Sequence, residues 1–273
     1  MLSVVRIALR NLPFVVWLFA ELRHLRGFRR NIAKYRASGE AELERREILK
    51  ATSLWGDDIV KKLRVDLRTE GETQLPDGPV VFVSNHESYA DIPLFCAVIR
   101  DKQFGFVAKR ELSRLPVFGK WIAEIRSVFL ERSDARASLK AMEDGVTLLR
   151  QGFSLVVFPE GTRGRGGPMR TFKRGSLRLA AKPGVAVVPV THMGCYRIFE
   201  ESGAVRSGVR VRFCVHPAME TAGMSKQEAA ALTEAAEDVI RAKLAEWRAE
   251  EAGAAEGEAA SAAADGRKST GNG

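Results

Sequence analysis

Cysteine is scarce in this chain, and long hydrophobic runs are missing. The three cysteines among 273 residues, Cys96, Cys195 and Cys214, lie far apart and form no C-x-x-C pair. That spacing excludes a disulfide-stapled scaffold and a thiolate zinc site, and it suits a reducing compartment. The longest apolar run, Leu12 to Ala20, has nine residues, against the roughly 18 to 20 needed to cross a bilayer, so a polytopic membrane protein is excluded. Several chemical signatures are also absent. There is no G-x-S-x-G, so a nucleophile-elbow serine hydrolase has no support. There is no H-E-x-x-H, although His86-Glu87 begins like one, and no phosphate-binding G-x-x-x-x-G-K-[ST] or G-x-G-x-x-G after a strand. Neither a cysteine nucleophile nor a metal cluster stands out.

What is present is ordinary globular composition with too much positive charge. Hydrophobic residues make up 45% and charged residues 28% of the chain, which excludes wholesale disorder. The formal charge is +9, but residues 246–273 hold six acids against three bases, so the rest carries +12. Six of those cations, Arg23, Arg26, Arg29, Arg30, Lys34 and Arg36, follow the apolar run directly and face one acid, Glu21. An apolar segment flanked by arginine reads as an interfacial membrane anchor. The competing reading is a helix packed on the domain with a solvated basic face. Pro13 inside the run argues against one straight helix. No A-x-A site supports a cleaved signal peptide. Nucleic acid is disfavoured as a partner, because few aromatics interleave the basic stretch and no zinc-finger or RNP-like motif is visible.

The pattern along the chain predicts a helix over 40–63 and then short β-type runs at 65–69, 80–84, 104–108, 127–130, 155–158, 186–191 and 209–215. Several of these are continuously apolar, as for strands covered on both faces. Between them, Leu139, Met142, Val146 and Leu149 mark one face of a helix over 134–151, with Ser133 able to cap its start. A further helix is expected over 175–182, stopped by Pro183-Gly184. Ser225-Lys-Gln-Glu228 is a capping-box pattern opening a helix that runs to about Arg248. Strands alternating with helices predict an α/β fold with a mostly parallel central sheet flanked by helices. The expected organisation is an N-terminal helical membrane-associating segment (1–63), a folded domain (64–249) and an Ala/Gly/Glu-rich disordered tail (250–273).

Two loops look chemical. Asn85-His86-Glu87-Ser88-Tyr89-Ala90-Asp91 follows the apolar strand ending in Val83. Ligands of open α/β sheets collect beyond the carboxyl ends of strands, where this loop would sit. His86 can act as a general base, and a carboxylate on its other nitrogen would fix the tautomer. Asp91 is five residues on, so the chain between them must turn, with Asp91 at a helix start and Pro93 in the first turn. The spacing equally allows Asp91 to be a helix cap and His86 a polar loop residue. The second loop, Phe158-Pro159-Glu160-Gly161-Thr162-Arg163, leads into glycines and then Arg170, Lys173 and Arg174. It can approach and hold a phosphate, or it can be a solvated basic loop. Lys109-Arg110-Glu111-Leu112 and Arg132 follow other strands and can reach the same face.

Together these segments resemble a known family. Asn85-His86-x4-Asp91, the block from Lys109-Arg110-Glu111-Leu112 to Phe118-Gly119 and on to Phe129-Leu130-Glu131-Arg132, Phe158-Pro159-Glu160-Gly161-Thr162-Arg163, and Val187-Val188-Pro189-Val190 resemble motifs I to IV of the glycerolipid acyltransferases. They do so in order over roughly residues 65 to 215. The closest resemblance is to the 1-acylglycerol-3-phosphate (lysophosphatidate) acyltransferases. It implies that His86, oriented by Asp91, deprotonates an acceptor hydroxyl, which attacks the thioester of acyl-CoA or an acyl carrier protein with no resident cofactor or acyl-enzyme. It also implies that Glu160, Gly161, Thr162 and Arg163 bind the glycerol phosphate, helped by Arg132 and Lys109, with Pro189 structural. An acceptor living in a bilayer implies a membrane-associated protein at the cytoplasmic face of the cell membrane, docked on anionic headgroups. Another lysolipid acceptor, such as a lyso-ornithine lipid, or a non-catalytic membrane-binding relative, is the alternative.

Overall fold

The structure is a computed structural model that describes residues 2–72, 74–131 and 133–269. Among the described residues, seven strands form one sheet in the order β1-β7-β6-β2-β5-β3-β4. They are β1 (Asp66–Gly71), β2 (Val81–Ser84), β3 (Phe104–Lys109), β4 (Val128–Leu130), β5 (Ser154–Val157), β6 (Val187–Met193) and β7 (Arg210–Val215). Every neighbouring pair is parallel except β6 with β7. The expected mostly parallel α/β sheet is therefore found, and each predicted run forms a strand.

The central strands are apolar on both faces because helices cover both. Alternation sorts the side chains: Phe82 and Val156 face one core with Phe95, Phe104, Trp55 and Trp121. Val81, Val83, Leu155 and Val157 face the other, with Val146, Leu149, Ile240, Leu244 and Trp247. The first core is roofed by α3 (Ala41–Leu63) and α4 (Asp91–Val98), the second by α6 (Ala135–Arg150), α7 (Arg178–Ala181) and α8 (Lys226–Ser269). Helices α3 and α4 cross closely at Gly56, where a Cβ would lie 2.5 Å from the Ala97 backbone nitrogen. This contact seats α4, and with it Asp91, against the sheet.

Several expectations change. Helix α1 (Leu2–His24) continues through Pro13 as one helical element, although the proline argues against a single straight helix. It docks on the folded domain through Asn11, whose amide donates to the Gly203 carbonyl and whose oxygen accepts from the Val205 N–H, at 2.9 and 2.8 Å. The basic cluster does not face outward as a block. In α2 (Arg26–Ser38), Arg29 pairs with Glu124 of α5 (Phe118–Glu124), and Arg36 pairs with Glu44, which is 1% exposed and also holds Arg126. Arg23, Arg26, Arg30 and Lys34 remain exposed.

Asp134, not Ser133, caps α6, accepting from the Arg136 and Ala137 N–H groups. The helix expected over 175–182 is one short turn, Arg178–Ala181. The Ser225–Glu228 capping box forms as expected. Helix α8 then runs on to Ser269, so residues 250–269 are helical where a disordered tail was expected. Alanine, glutamate, lysine and arginine are strong helix formers. Glu250 and Glu251 tie the helix past its expected end to Arg212 and Arg197, at 2.5 and 2.9 Å.

Candidate active site

The loops singled out from sequence meet beyond the carboxyl ends of β2, β5 and β6. Asn85 sets the geometry. Its side-chain amide donates to the His192 carbonyl at 2.8 Å and its oxygen accepts from the His192 N–H at 3.0 Å. It thus replaces one step of the β2–β6 ladder with side-chain bonds and frees the main chain to turn at His86.

Within that turn the spacing of five residues closes as the sequence requires. His86 Nδ1 lies 2.6 Å from Asp91 Oδ2. The same oxygen accepts from the Glu87 and Ser88 N–H groups at 2.8 and 3.0 Å. Asp91 therefore faces His86 and orders the loop from the first residue of α4; the alternative reading as a helix cap is not met, since Ala90 is the N-cap and no side chain caps the helix. Burial pushes its carboxyl up, but the charge of His192 and hydrogen bonds from His192 and His86 hold it far below the usual carboxylate range. An ionised carboxylate on Nδ1 fixes the proton there and leaves Nε2 to accept. The His86 ring lies flat on Phe158, with centroids 4.2 Å apart and planes 17° apart. The side chain is 18% exposed, so the ring is clamped yet reachable.

Glu160 joins the two loops. It is buried, Oε1 accepts from the His86 N–H at 2.7 Å, and Oε2 accepts from the Arg170 N–H at 2.9 Å. Each oxygen thus accepts from backbone, and Glu160 ties the two loops together. A carboxylate beside a phosphate would be repelled; beside two N–H groups it is satisfied. The Gly164 and Arg165 N–H groups extend the seam to the His86 and Glu87 carbonyls, at 2.7 and 3.2 Å. Gly161 sits at φ +73°, a left-handed conformation that glycine adopts without strain.

Arg163 is beside the first loop. Its Nη1 donates to Glu200 Oε1 at 2.7 Å, and its guanidinium stacks 3.5 Å from the centroid of the Tyr89 ring. Glu200, buried to 3% side-chain exposure, also accepts from Ser88 Oγ at 2.6 Å and the Tyr89 N–H at 3.0 Å. Ser88 and Tyr89, given no role from sequence, thus brace the loop and the arginine. Thr162 is exposed. Lys109 ends β3, where its ammonium pairs with Glu111 at 2.8 Å on an exposed surface. Arg132 lies outside the described residues.

Sequence reasoning missed His192, Glu87 and Glu200. Glu87 is buried, accepts from the Gly194 N–H at 2.9 Å, and is pushed up to about 7 by burial. The donor atoms of Asp91, His192 and Cys195 lie within 4.8 Å of one another. Asp91 Oδ2 already accepts from His86, Glu87 and Ser88, while Asp91 Oδ1 and His192 Nε2 have no hydrogen-bond partner. An apolar cleft of about 500 Å³ opens beside Tyr89 and Ala90, walled by Leu12, Phe14, Trp55 and Phe118. A larger groove of about 650 Å³ between α6, α7 and α8 contains none of these site residues.

Residues 66–193 match the family model described as Acyltransferase. A chloroplastic 1-acyl-sn-glycerol-3-phosphate acyltransferase of Arabidopsis thaliana is 37% identical over 55% of this chain and 42% of its own length. A 1-acyl-sn-glycerol-3-phosphate acyltransferase of Borreliella burgdorferi is 33% identical over 60% of this chain and 66% of its own. The chain thus matches between two fifths and two thirds of the length of these relatives. The crystal structure of the 1-acyl-sn-glycerophosphate acyltransferase of Thermotoga maritima superposes with a TM-score of 0.67 at 27% identity, covering 89% of this chain and 98% of that one. Residues 66–193 thus form an acyltransferase domain similar to that of the 1-acyl-sn-glycerol-3-phosphate acyltransferases.

Proposed function

We propose that the protein transfers a fatty acyl group from a thioester donor, acyl-CoA or an acyl carrier protein, to the free hydroxyl of lysophosphatidate, giving phosphatidate. The observation that carries this reading is the 2.6 Å contact of His86 Nδ1 with a buried, ionised Asp91, which leaves Nε2 of a clamped and reachable ring as a base. Nε2 takes the acceptor hydroxyl proton as that oxygen attacks the thioester carbonyl. The tetrahedral intermediate then collapses, the C–S bond breaks, and the imidazolium returns its proton to the leaving thiolate. A base of this kind contributes about 10² to 10⁴ in rate. No acyl-enzyme forms. Arg163, beside Gly161 and Thr162, receives the acceptor phosphate, and Lys109 adds charge at the rim. Glu160 holds the loops and does not touch the acceptor.

The protein works on a lipid surface. No helix among the described residues is long and apolar enough to cross a membrane. Helix α1 instead exposes Ile7, Leu9, Leu12, Val15, Val16 and Phe19, the main concentration of exposed large apolar side chains among the described residues. Arg23, Arg26, Arg30 and Lys34 follow in chain order, exposed and without a role in the ion pairs that bind α2 to the domain. An apolar face followed by arginines is what an anionic bilayer surface attracts, and the apolar cleft beside Tyr89 opens against α1. The test is an acceptor-by-donor panel with product identification, comparing lysophosphatidate, other lysophospholipids and lyso-ornithine lipid against acyl-CoA and acyl carrier protein. Phosphatidate formed from lysophosphatidate in preference to the other products supports the reading; transfer only to a phosphate-free acceptor overturns it.

A further inference from the structure

His192 is a buried ionisable group without a part in this chemistry. It lies near the end of β6, and its ring is fully buried. The ring lies near-parallel to Phe213 at 5.2 Å and edge-on to Phe158 at 6.5 Å, so it cannot rotate freely. Its Nε2 is 3.2 Å from Asp91 Oδ2, the oxygen that also faces His86, and its Nδ1 is 3.1 Å from Ser84 Oγ.

The protons on this ring follow from donor counting. The Ser84 hydroxyl has one hydrogen and donates it to the Val190 carbonyl at 2.7 Å. Its oxygen is then an acceptor, so His192 Nδ1 carries a hydrogen. Nε2 lies 3.2 Å from Asp91 Oδ2 without hydrogen-bond alignment and has no other partner; a bare lone pair that close to an ionised carboxylate oxygen would be repelled in a buried site, so Nε2 carries a hydrogen as well. A ring protonated on both nitrogens is an imidazolium. We propose that His192 is a buried imidazolium that shares the Asp91 carboxylate with His86 and so sets how readily His86 accepts a proton, acting as a positioning residue for the reaction proposed above.

The surroundings agree. Burial pushes His192 down, but the charge of Asp91 and its hydrogen bond, then the charges of Glu87 and Glu160, outweigh it and raise the imidazole above its ordinary value. The ionisable groups facing His192 are Asp91 at the start of α4, Glu87 in the loop after β2, Glu160 after β5 and Cys195 after β6. β2 presents Ser84, and β7 presents the uncharged Phe213. Burial lifts Glu87 to about 7. Burial, and then the nearby carboxylates, lift the Cys195 thiol well above its ordinary value. The cluster therefore has one firmly ionised carboxylate, Asp91, between two imidazoles.

The consequence for catalysis has a definite sign. A bare Asp91 would draw a proton onto His86 before the acceptor arrives and silence the base. Paired with a cation, Asp91 presents His86 with a nearly neutral partner that still fixes its tautomer. Removing the cation while keeping the N–H donor leaves the bare carboxylate. At the effective dielectric of a protein site, one unit charge this close is worth about one to two pH units.

The test uses the full chain with histidine-labelled nitrogen, together with His192→Gln, which keeps a donor and loses the charge. Ring-nitrogen NMR of the wild type is expected to show His192 protonated on both nitrogens at pH 7. In His192→Gln the acid limb of the kcat/KM profile for acyl transfer is expected to move up by about one to two pH units, with activity recovering on the alkaline side. A His192 protonated on one nitrogen at pH 7, or an acid limb in the same place in folded His192→Gln, overturns the proposal. If His192→Gln does not fold, the wild-type ring spectrum decides alone. That spectrum needs no turnover. An inactive protein with a doubly protonated His192 therefore refutes the proposed function and keeps the buried imidazolium, while an active one with neutral His192 does the reverse.

Discussion

Glu160→Ala separates holding the site from binding the acceptor. In the native chain the carboxylate accepts from two partly buried donors, the His86 N–H at 2.7 Å and the Arg170 N–H at 2.9 Å. Alanine leaves both without this partner, and a fully buried unsatisfied donor costs about 1–3 kcal/mol, so about 2–6 kcal/mol is the upper bound on the gross loss. Part of this is returned. Burial raises the Glu160 carboxyl above its ordinary value despite both backbone bonds, so the ionised group is itself a strain on the fold. A net loss of about 2–4 kcal/mol is expected in urea unfolding, or a fall in Tm of several degrees for a domain of this size. Glu160→Gln keeps one acceptor and drops the charge, so it should lose about half as much. Activity should fall through kcat in both variants, because the loop carrying His86 loses its tether. A displacement near 1 Å costs on the order of 10²-fold. Unfolding and steady-state kinetics on the same preparations read both effects. Wild-type stability combined with a defect confined to the acceptor KM would show that the carboxylate binds substrate, and the structural reading would be wrong.

Other residues give equally direct expectations. Arg163→Ala should raise the acceptor KM by about tenfold or more with a smaller change in kcat, since it removes a charged hydrogen-bond donor for the phosphate; an unchanged acceptor KM would remove that role. Because burial lifts Glu87 from 4.5 to about 7, the folded chain keeps a proton that the unfolded chain releases in that window. Stability should therefore fall as pH rises from about 4.5 to 7, by at most about 3 kcal/mol from this group, and level off above. Glu87→Gln should flatten that slope in urea titrations at successive pH values, and an identical slope in the variant would show that Glu87 is not the source. Leu9→Glu and Val16→Glu, at positions 65% and 59% exposed, should weaken binding to anionic vesicles by about tenfold or more while leaving unfolding unchanged. Equal vesicle binding would place the contact surface elsewhere.

The strands, the flanking helices and the His86–Asp91 pair were legible because each rests on local pattern: an apolar run, a turn, a spacing of five. What escaped the sequence depends on partners far along the chain. Glu160 reads as a ligand residue, and nothing local shows that its carboxylate accepts from the backbone of His86, 74 positions earlier. Arg29 and Arg36 look like part of a uniform basic patch, yet Glu124 and Glu44 turn them inward. His192 reads as the polar end of a strand, with nothing local to show that Asp91 and Ser84 bracket it. The extension of α8 was missed for a different reason. A segment poor in large apolar residues suggested no core to pack on, whereas helix propensity and two ion pairs to Arg197 and Arg212 carry the helix past residue 250. Helix α1 passing through Pro13 shows the same limit: docking at Asn11 and burial of Leu22 outweigh one lost backbone donor.

The central claim is that His86 is the base of an acyl transfer. The most direct measurement is the rate of acyl transfer to lysophosphatidate by purified His86→Ala, beside wild type, with unfolding recorded on both. The expected result is a loss of about 10² to 10⁴ in kcat with stability nearly unchanged, since the ring is partly exposed and its removal frees only one bond to Asp91. Full activity in a folded His86→Ala protein would contradict the account.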